Sequence, residues 1–114
     1  MKNKELISKS YEFALKIVKI YREINQENED CFLARQLLRC GTSIGENIVS
    51  TQHCVSKKNF YSKMSEALKE AKKAQYWLNL LVESGFLSKS KSKEIEELLN
   101  EITKNLIKIV KNAK

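Results

Sequence analysis

Residues 34–48 read Ala-Arg-Gln-Leu-Leu-Arg-Cys-Gly-Thr-Ser-Ile-Gly-Glu-Asn-Ile. Ala34, Leu37, Gly41, Ile44 and Ile48 recur at alternating steps of three and four, which at helical spacing puts them on one stripe. Gly41 and Gly45 lie one turn apart on or beside that stripe. A glycine in a helix interior costs about 1 kcal/mol relative to alanine, so something must offset the two. Close approach by a second helix, which a larger side chain would block, does so. The alternative is that the glycines break the helix into a loop. The apolar rhythm runs on through both sides of them, which favours the helix.

Three more amphipathic segments flank this one. Before it, Ile7, Tyr11, Ala14, Val18 and Tyr21 form one stripe, and Phe13, Ile17, Ile20 and Ile24 form a second beside it. The combined face is wider than one partner helix needs, and two neighbours in a bundle would cover it. The polar run Asn25–Asp30 makes the first turn, with Asp30 as N-cap of the glycine-bearing helix. After it, Ser56 caps a third helix, whose stripe is Phe60, Met64, Ala67, Ala71, Ala74, Leu78 and Leu81. Its three alanines are small, like Ala34, Gly41 and Gly45, and the expectation is that helices two and three approach small residue against small residue. Gly85 suits the left-handed position after a helix, with Phe86 folding back on the last turn. Ser88 or Ser90 then caps a fourth helix, carrying Ile95, Leu99, Ile102, Leu106, Ile109 and Ala113.

With 114 residues, no proline and three glycines, the chain suits a single all-α domain over residues 1–114. Its expected architecture is an antiparallel up-down-up-down four-helix bundle with helices at about 4–25, 30–53, 57–84 and 89–112. No apolar run approaches the roughly 20 residues of a membrane span. The first residues lack the apolar core of a signal peptide, so a cytoplasmic location and no membrane partner are expected.

The residues offer little chemistry. Cys31, Cys40 and Cys54 show no Cys-x-x-Cys spacing, and His53 is the one histidine, so a zinc site lacks ligands and the thiols read as reduced. His53 and Cys54, adjacent on a helix, would point about 100° apart and could not form a nucleophilic pair. Glu94, Glu97 and Glu101 share a face of helix four, with Glu96 beside them. A di-metal bundle would also need Glu-x-x-His pairs on other helices, and the sequence has none. The cluster reads as a solvated face, and no enzyme, cofactor or metal is expected.

Charge is more informative. The net charge is +7, and it is uneven: residues 57–114 carry thirteen Lys/Arg against seven Asp/Glu, whereas residues 1–56 carry eight against seven. A basic half suggests an anionic partner, nucleic acid first; the plainer alternative is a lysine-rich solvated surface. Lys57, Lys58, Lys69, Lys72 and Lys73 on helix three are the candidate nucleic-acid contacts, with Tyr61 and Tyr76 among them. Arg35 and Arg39, one turn apart, form a smaller second candidate whose alternative is ordinary ion pairing. Lysines attract phosphate without reading bases. Tyr76 and Trp77 are candidate anchors of an oligomer interface, or else simple filling inside one bundle.

Several stretches resemble a known family in order along nearly the whole chain: Ser10-Tyr11-Glu12-Phe13-Ala14-Leu15; Gln36-Leu37-Leu38-Arg39-Cys40-Gly41-Thr42-Ser43-Ile44-Gly45-Glu46-Asn47-Ile48; Glu70-Ala71; Tyr76-Trp77-Leu78-Asn79-Leu80-Leu81; and Ser84-Gly85-Phe86-Leu87. They are similar to the bacterial four-helix-bundle proteins called 23S rRNA intervening-sequence proteins, and Thr42–Ile48 is the most specific part. The resemblance implies a bundle that assembles as a ring-like homopentamer, with no catalytic residues. It also implies kinship with the accessory protein of diversity-generating retroelements, a basic pentameric bundle that works with a reverse transcriptase and binds nucleic acid. One departure stands out: the family usually follows Asn-Ile with an acidic end to the motif, and here Val49-Ser50-Thr51 follows instead. The expected function is a non-enzymatic oligomeric scaffold contacting the backbone of RNA or DNA. The alternative is a protein-interaction adaptor, for instance of a reverse transcriptase, without nucleic-acid contact of its own.

Overall fold

The computed structural model describes residues 3–113. Four helices run α1 Lys4–Glu27, α2 Phe32–Ser50, α3 Lys57–Glu83 and α4 Lys89–Ala113, with a 3-10 turn at Thr51–His53 between α2 and α3. Each helix packs on its neighbours in the chain, α4 closes back on α1, and among the described residues no diagonal pair of helices comes within 8 Å, Cα to Cα. This is an antiparallel four-helix bundle. Its extents of 45 × 21 × 19 Å are one long helix by a two-by-two section. The seam between α2 and α3 is the most extensive and that between α1 and α4 the thinnest.

The helix ends follow local chemistry. Ser56 Oγ accepts the Asn59 N–H at 3.1 Å, and Ser88 Oγ accepts the Lys91 N–H at 3.3 Å, so each hydroxyl satisfies an orphan donor of a first turn. At the end of α3, Gly85 has φ +87°; the Phe86 N–H donates to Leu81 O and the Gly85 N–H to Val82 O. That is a Schellman closure, which needs the left-handed glycine. Leu87, not Phe86, then turns into the core; Phe86 stays at the surface. Asp30 does not cap α2. It adopts φ +53° in the turn and its carboxylate takes Arg35, while Cys31 holds the cap position without a side-chain bond. α2 also stops short of His53: Ser50 Oγ donates to Glu46 O and Thr51 Oγ1 to Ile48 O, and the chain tightens into the 3-10 turn. α1 runs past Asn25 to Glu27, where the backbone and side-chain amides of Asn28 both reach Ile24 O.

The glycines of α2 are helical and are closely approached, but by α1. A Cβ on Gly41 would lie 3.1 and 3.3 Å from the γ carbons of Ile17 and 3.4 Å from Phe13 Cε2; one on Gly45 would lie 3.3 Å from Ser10 Oγ. The small-against-small contact between α2 and α3 expected at these positions is therefore corrected. Large apolar side chains of α1 seat in the notch at Gly41. Ser10, fully buried, seats at Gly45 and returns its hydroxyl proton to Ile7 O at 2.9 Å. Ala67, Ala71 and Ala74 are fully buried along α3.

α1 supplies a second correction. Phe13, Ile17, Ile20 and Ile24 are buried, but the companion stripe is only partly covered: Ile7 and Tyr21 pack against the core, whereas Tyr11 is 66% and Val18 39% exposed, with Leu15 beside them 55% exposed.

The thin α1–α4 seam carries every interhelical ion pair among the described residues: Lys9–Glu101, Lys16–Glu94 and Glu23–Lys91, the last at 3.7 Å. On α1 these positions are spaced by seven residues, so they form a rail along one edge. Hydrogen bonding to Glu94 raises the Lys16 pKa above its ordinary value, and hydrogen bonding to Lys16 lowers that of Glu94. Lys9 is raised in the same way by Glu101.

Two outcomes follow from this packing. Replacing Gly41 by Leu should cost roughly 1–3 kcal/mol by overpacking against Ile17 and Phe13, read as a lowered urea midpoint. Lys16→Gln should lower Tm most at neutral pH. The stabilisation from Glu94 is lost as pH falls through its depressed folded pKa, and that from Lys16 as pH rises through its raised one. The gap to wild type should therefore close below about pH 4 and again in strong alkali.

Candidate nucleic-acid interface

The sequence-predicted cations fall into two places on α3. Lys57 and Lys58 occupy its first turn. Lys69, Lys72 and Lys73 lie around its middle, with Lys73 about 22 Å along the rise from Lys58. All five are exposed. Lys57, Lys58, Lys69 and Lys72 join no ion pair among the described residues, whereas Lys73 lies 3.8 Å from Glu70 one turn back.

α2 brings Arg39 to the second group. Gln36, Arg39, Cys40 and Ser43 from α2 face Glu70, Lys73, Tyr76 and Trp77 from α3 across a cleft of about 510 Å³. Arg39 and Lys73, singled out for phosphate, and Tyr76 and Trp77, singled out for an interface, thus line one cleft. Arg35 does not join them. It is held by Asp30 and its guanidinium lies 5.6 Å above the Phe32 ring. Trp77 is half-buried between two rings, edge-on to Phe32 at 5.9 Å and to Tyr76 at 5.2 Å. Tyr76 itself is 59% exposed.

At the cleft floor Cys40 is buried. Desolvation, reinforced by the Glu70 carboxylate, pushes its thiol up to about 11. A thiol held neutral is neither a nucleophile nor a ready metal ligand. His53 sits exposed on the 3-10 turn, followed by Cys54, whose sulfur is 3.7 Å from Ser50 O. The carboxylates of α4 stay at the surface, as the sequence suggested: Glu94, Glu97 and Glu101 are exposed. Glu94 and Glu101 are engaged by lysines of α1, and Glu96 accepts the Ser92 hydroxyl at 2.8 Å. Among the described residues no group of three His, Cys, Asp or Glu side chains could hold a metal. No described helix is long and apolar enough to cross a membrane.

A larger concavity, about 1050 Å³, was not anticipated. It lies where the first turn of α3 meets the start of α1 and the last turn of α4, and Lys57, Lys58, Phe60 and Tyr61 border it. The sequence signal was Phe60-Tyr61, separated from the pair Lys57-Lys58 by Asn59 alone. What it lacked was the knowledge that the ends of α1 and α4 would form the opposite wall.

A sequence profile described as 23S rRNA-intervening sequence protein matches residues 2–108. The chain belongs to that family. A crystal structure of a protein of unknown function from the S23 ribosomal protein family of Bacteroides thetaiotaomicron agrees in fold. It is 38% identical, superposes with a TM-score of 0.89, and the match covers 93% of this chain and 98% of that one. Comparison with curated proteins finds no match. Two stretches through which the intervening-sequence resemblance reads, Ser10–Leu15 and Gln36–Ile48, pack on each other in three dimensions: Ser10 meets Gly45, and Phe13 meets Gly41. The departure at Val49-Ser50-Thr51 places hydroxyls on the carbonyls of the last turn of α2.

Cys54 is half-buried, whereas Cys31 and Cys40 are buried. With a chromogenic disulfide at mild alkaline pH, one thiol should react in the native protein, and the other two only after denaturant is added. Cys54→Ser should abolish the native phase.

Proposed function

We propose that this intervening-sequence protein is a non-enzymatic, oligomeric helical scaffold that contacts the backbone of RNA or DNA through the lysine-bearing side of α3. The observation that carries the reading is how the cations are used. Lysines of α1 are spent on carboxylates of α4, while Lys69 and Lys72 on α3, like Lys57 and Lys58, are left without an acidic partner among the described residues. Arg39 extends the same side across the cleft from α2. Such cations attract phosphate with little dependence on sequence. Glu66 and Glu70 interrupt the side, so a single copy binds weakly and several copies held together bind by avidity.

The uncovered Tyr11–Leu15–Val18 stripe supports assembly, since a soluble bundle otherwise has no reason to leave three large apolar residues in line at the surface. A homopentameric ring is the form the family resemblance implies, with Tyr76 and Trp77 as candidate contacts on the receiving side. The same stripe favours the second reading, an adaptor that docks another protein such as a reverse transcriptase and touches no nucleic acid itself.

Labelled RNA titrated at several salt concentrations separates the two. The scaffold reading expects affinity that falls steeply as salt rises, and a shallower slope in Lys69→Gln/Lys72→Gln. A flat salt response, or no binding at low salt, leaves the adaptor. Light scattering at the mass of one subunit would overturn the oligomer.

A further inference from the structure

The groove at the end of the bundle differs from the lysine side of α3 in having walls. Phe60 and Tyr61 are half-buried, and with Ile109 they give it an apolar surface. Lys57 and Lys58 border it, and Asn3, at the cap of α1, and Asn112, in the last turn of α4, also line it. No carboxylate lines it among the described residues. Its volume of about 1050 Å³ is at the upper end of those that enclose small organic ligands.

We propose that this groove takes one unpaired base of a single-stranded nucleic acid, stacked on Tyr61, with the adjoining phosphates on Lys57 and Lys58. The inference rests on the reading that α3 contacts nucleic acid, and it adds the strandedness and the place. The argument is one of complementarity. A ligand that is anionic at one end and flat and apolar at the other satisfies the lysines and the aromatic wall together. A nucleotide has that form, and its base edge offers donors and acceptors that amides can meet. A concave site between three helix ends admits a base swung out of a strand. A duplex keeps its bases stacked inside, and presents only phosphates to such a site. An acidic peptide would answer the lysines but leave the aromatic wall and the amides unused.

The test uses untagged protein, because Asn3 and the last turn of α4 form part of the wall. Fluorescence anisotropy is measured with labelled oligouridylate, labelled oligothymidylate and a duplex of matched length. Single strands of either sugar should bind more tightly than the duplex. Tyr61→Leu should weaken single-strand binding roughly ten-fold and leave duplex binding unchanged. Lys57→Gln/Lys58→Gln, at exposed positions that do not bear on folding, should lower the single-strand salt slope by about 1.4. Circular dichroism confirms the fold of each variant, and the lysine pair keeps the test decisive if Tyr61→Leu does not fold. If single strand and duplex bind alike, and neither the tyrosine nor the lysine pair matters while Lys69→Gln/Lys72→Gln does, the groove is overturned and the α3 reading stands. If polyglutamate displaces the oligonucleotide and its own binding is as sensitive to Tyr61→Leu, the groove is a peptide site and the proposal is overturned. Absence of any binding at low salt removes both readings.

Discussion

The seating of α1 against α2 at Gly41 and Gly45 is the contact on which the bundle depends. Ile17 and Phe13 stand where a side chain on residue 41 would be, and Ser10 stands where one on residue 45 would be. Two helices can come this near only if one gives up side-chain volume along the contact, and α2 does so at two successive turns. The loss in helix propensity, about 1 kcal/mol per glycine, is offset by burying isoleucine and phenylalanine completely. With α1 placed this way, its wide apolar face is divided. One stripe is consumed by the core; of the other, Ile7 and Tyr21 pack against the core while Tyr11 and Val18 are turned outward.

Charge is distributed with similar economy. At the thinnest seam, lysines and glutamates of α1 and α4 are matched in antiparallel register. Exposed ion pairs of this kind contribute little to stability individually. Their placement nonetheless favours one alignment of the two outer helices over its neighbours, because a shifted register brings like charges together. α3 follows the opposite rule: among the described residues its lysines extend from the body without matching acids, apart from Lys73 beside Glu70.

The helices and most of their inward stripes were legible in the sequence because they are set by local periodicity. On α3, Met64 through Leu81 is buried as its spacing requires, and the caps at Ser56 and Gly85 lie where single residues demand them. The same local view failed where the answer lies in another helix. Spacing shows that Gly41 needs a close neighbour but not which one, and the alanines of α3 were a reasonable but wrong guess. The width of the apolar face of α1 was plain; the failure of two neighbours to cover it was not. Asp30 had the chemistry of a cap, yet the turn set it left-handed and Arg35 claimed its carboxylate. For the candidate interface, the lysines and the two aromatics of α3 could be picked out singly. That Arg39 would join Lys73 and Tyr76 in one cleft, while Arg35 would not, depends on how α2 rotates against α3. The groove at Tyr61 depends on the opposite ends of the chain arriving side by side.

The ring of four helices also implies an order of assembly. Three of its seams join segments adjacent in the chain, each closed by a short turn, and such hairpins form at small entropic cost. The fourth joins Lys9 to Glu101, 92 positions apart in the chain, and it is the thinnest of the four. Hairpin formation therefore precedes the docking of α4 on α1, and opposite charges on the two approaching edges guide that last closure from a distance comparable to the Debye length, about 8–10 Å at ordinary ionic strength. The rail of ion pairs thus acts on an almost finished bundle, before its final side comes together.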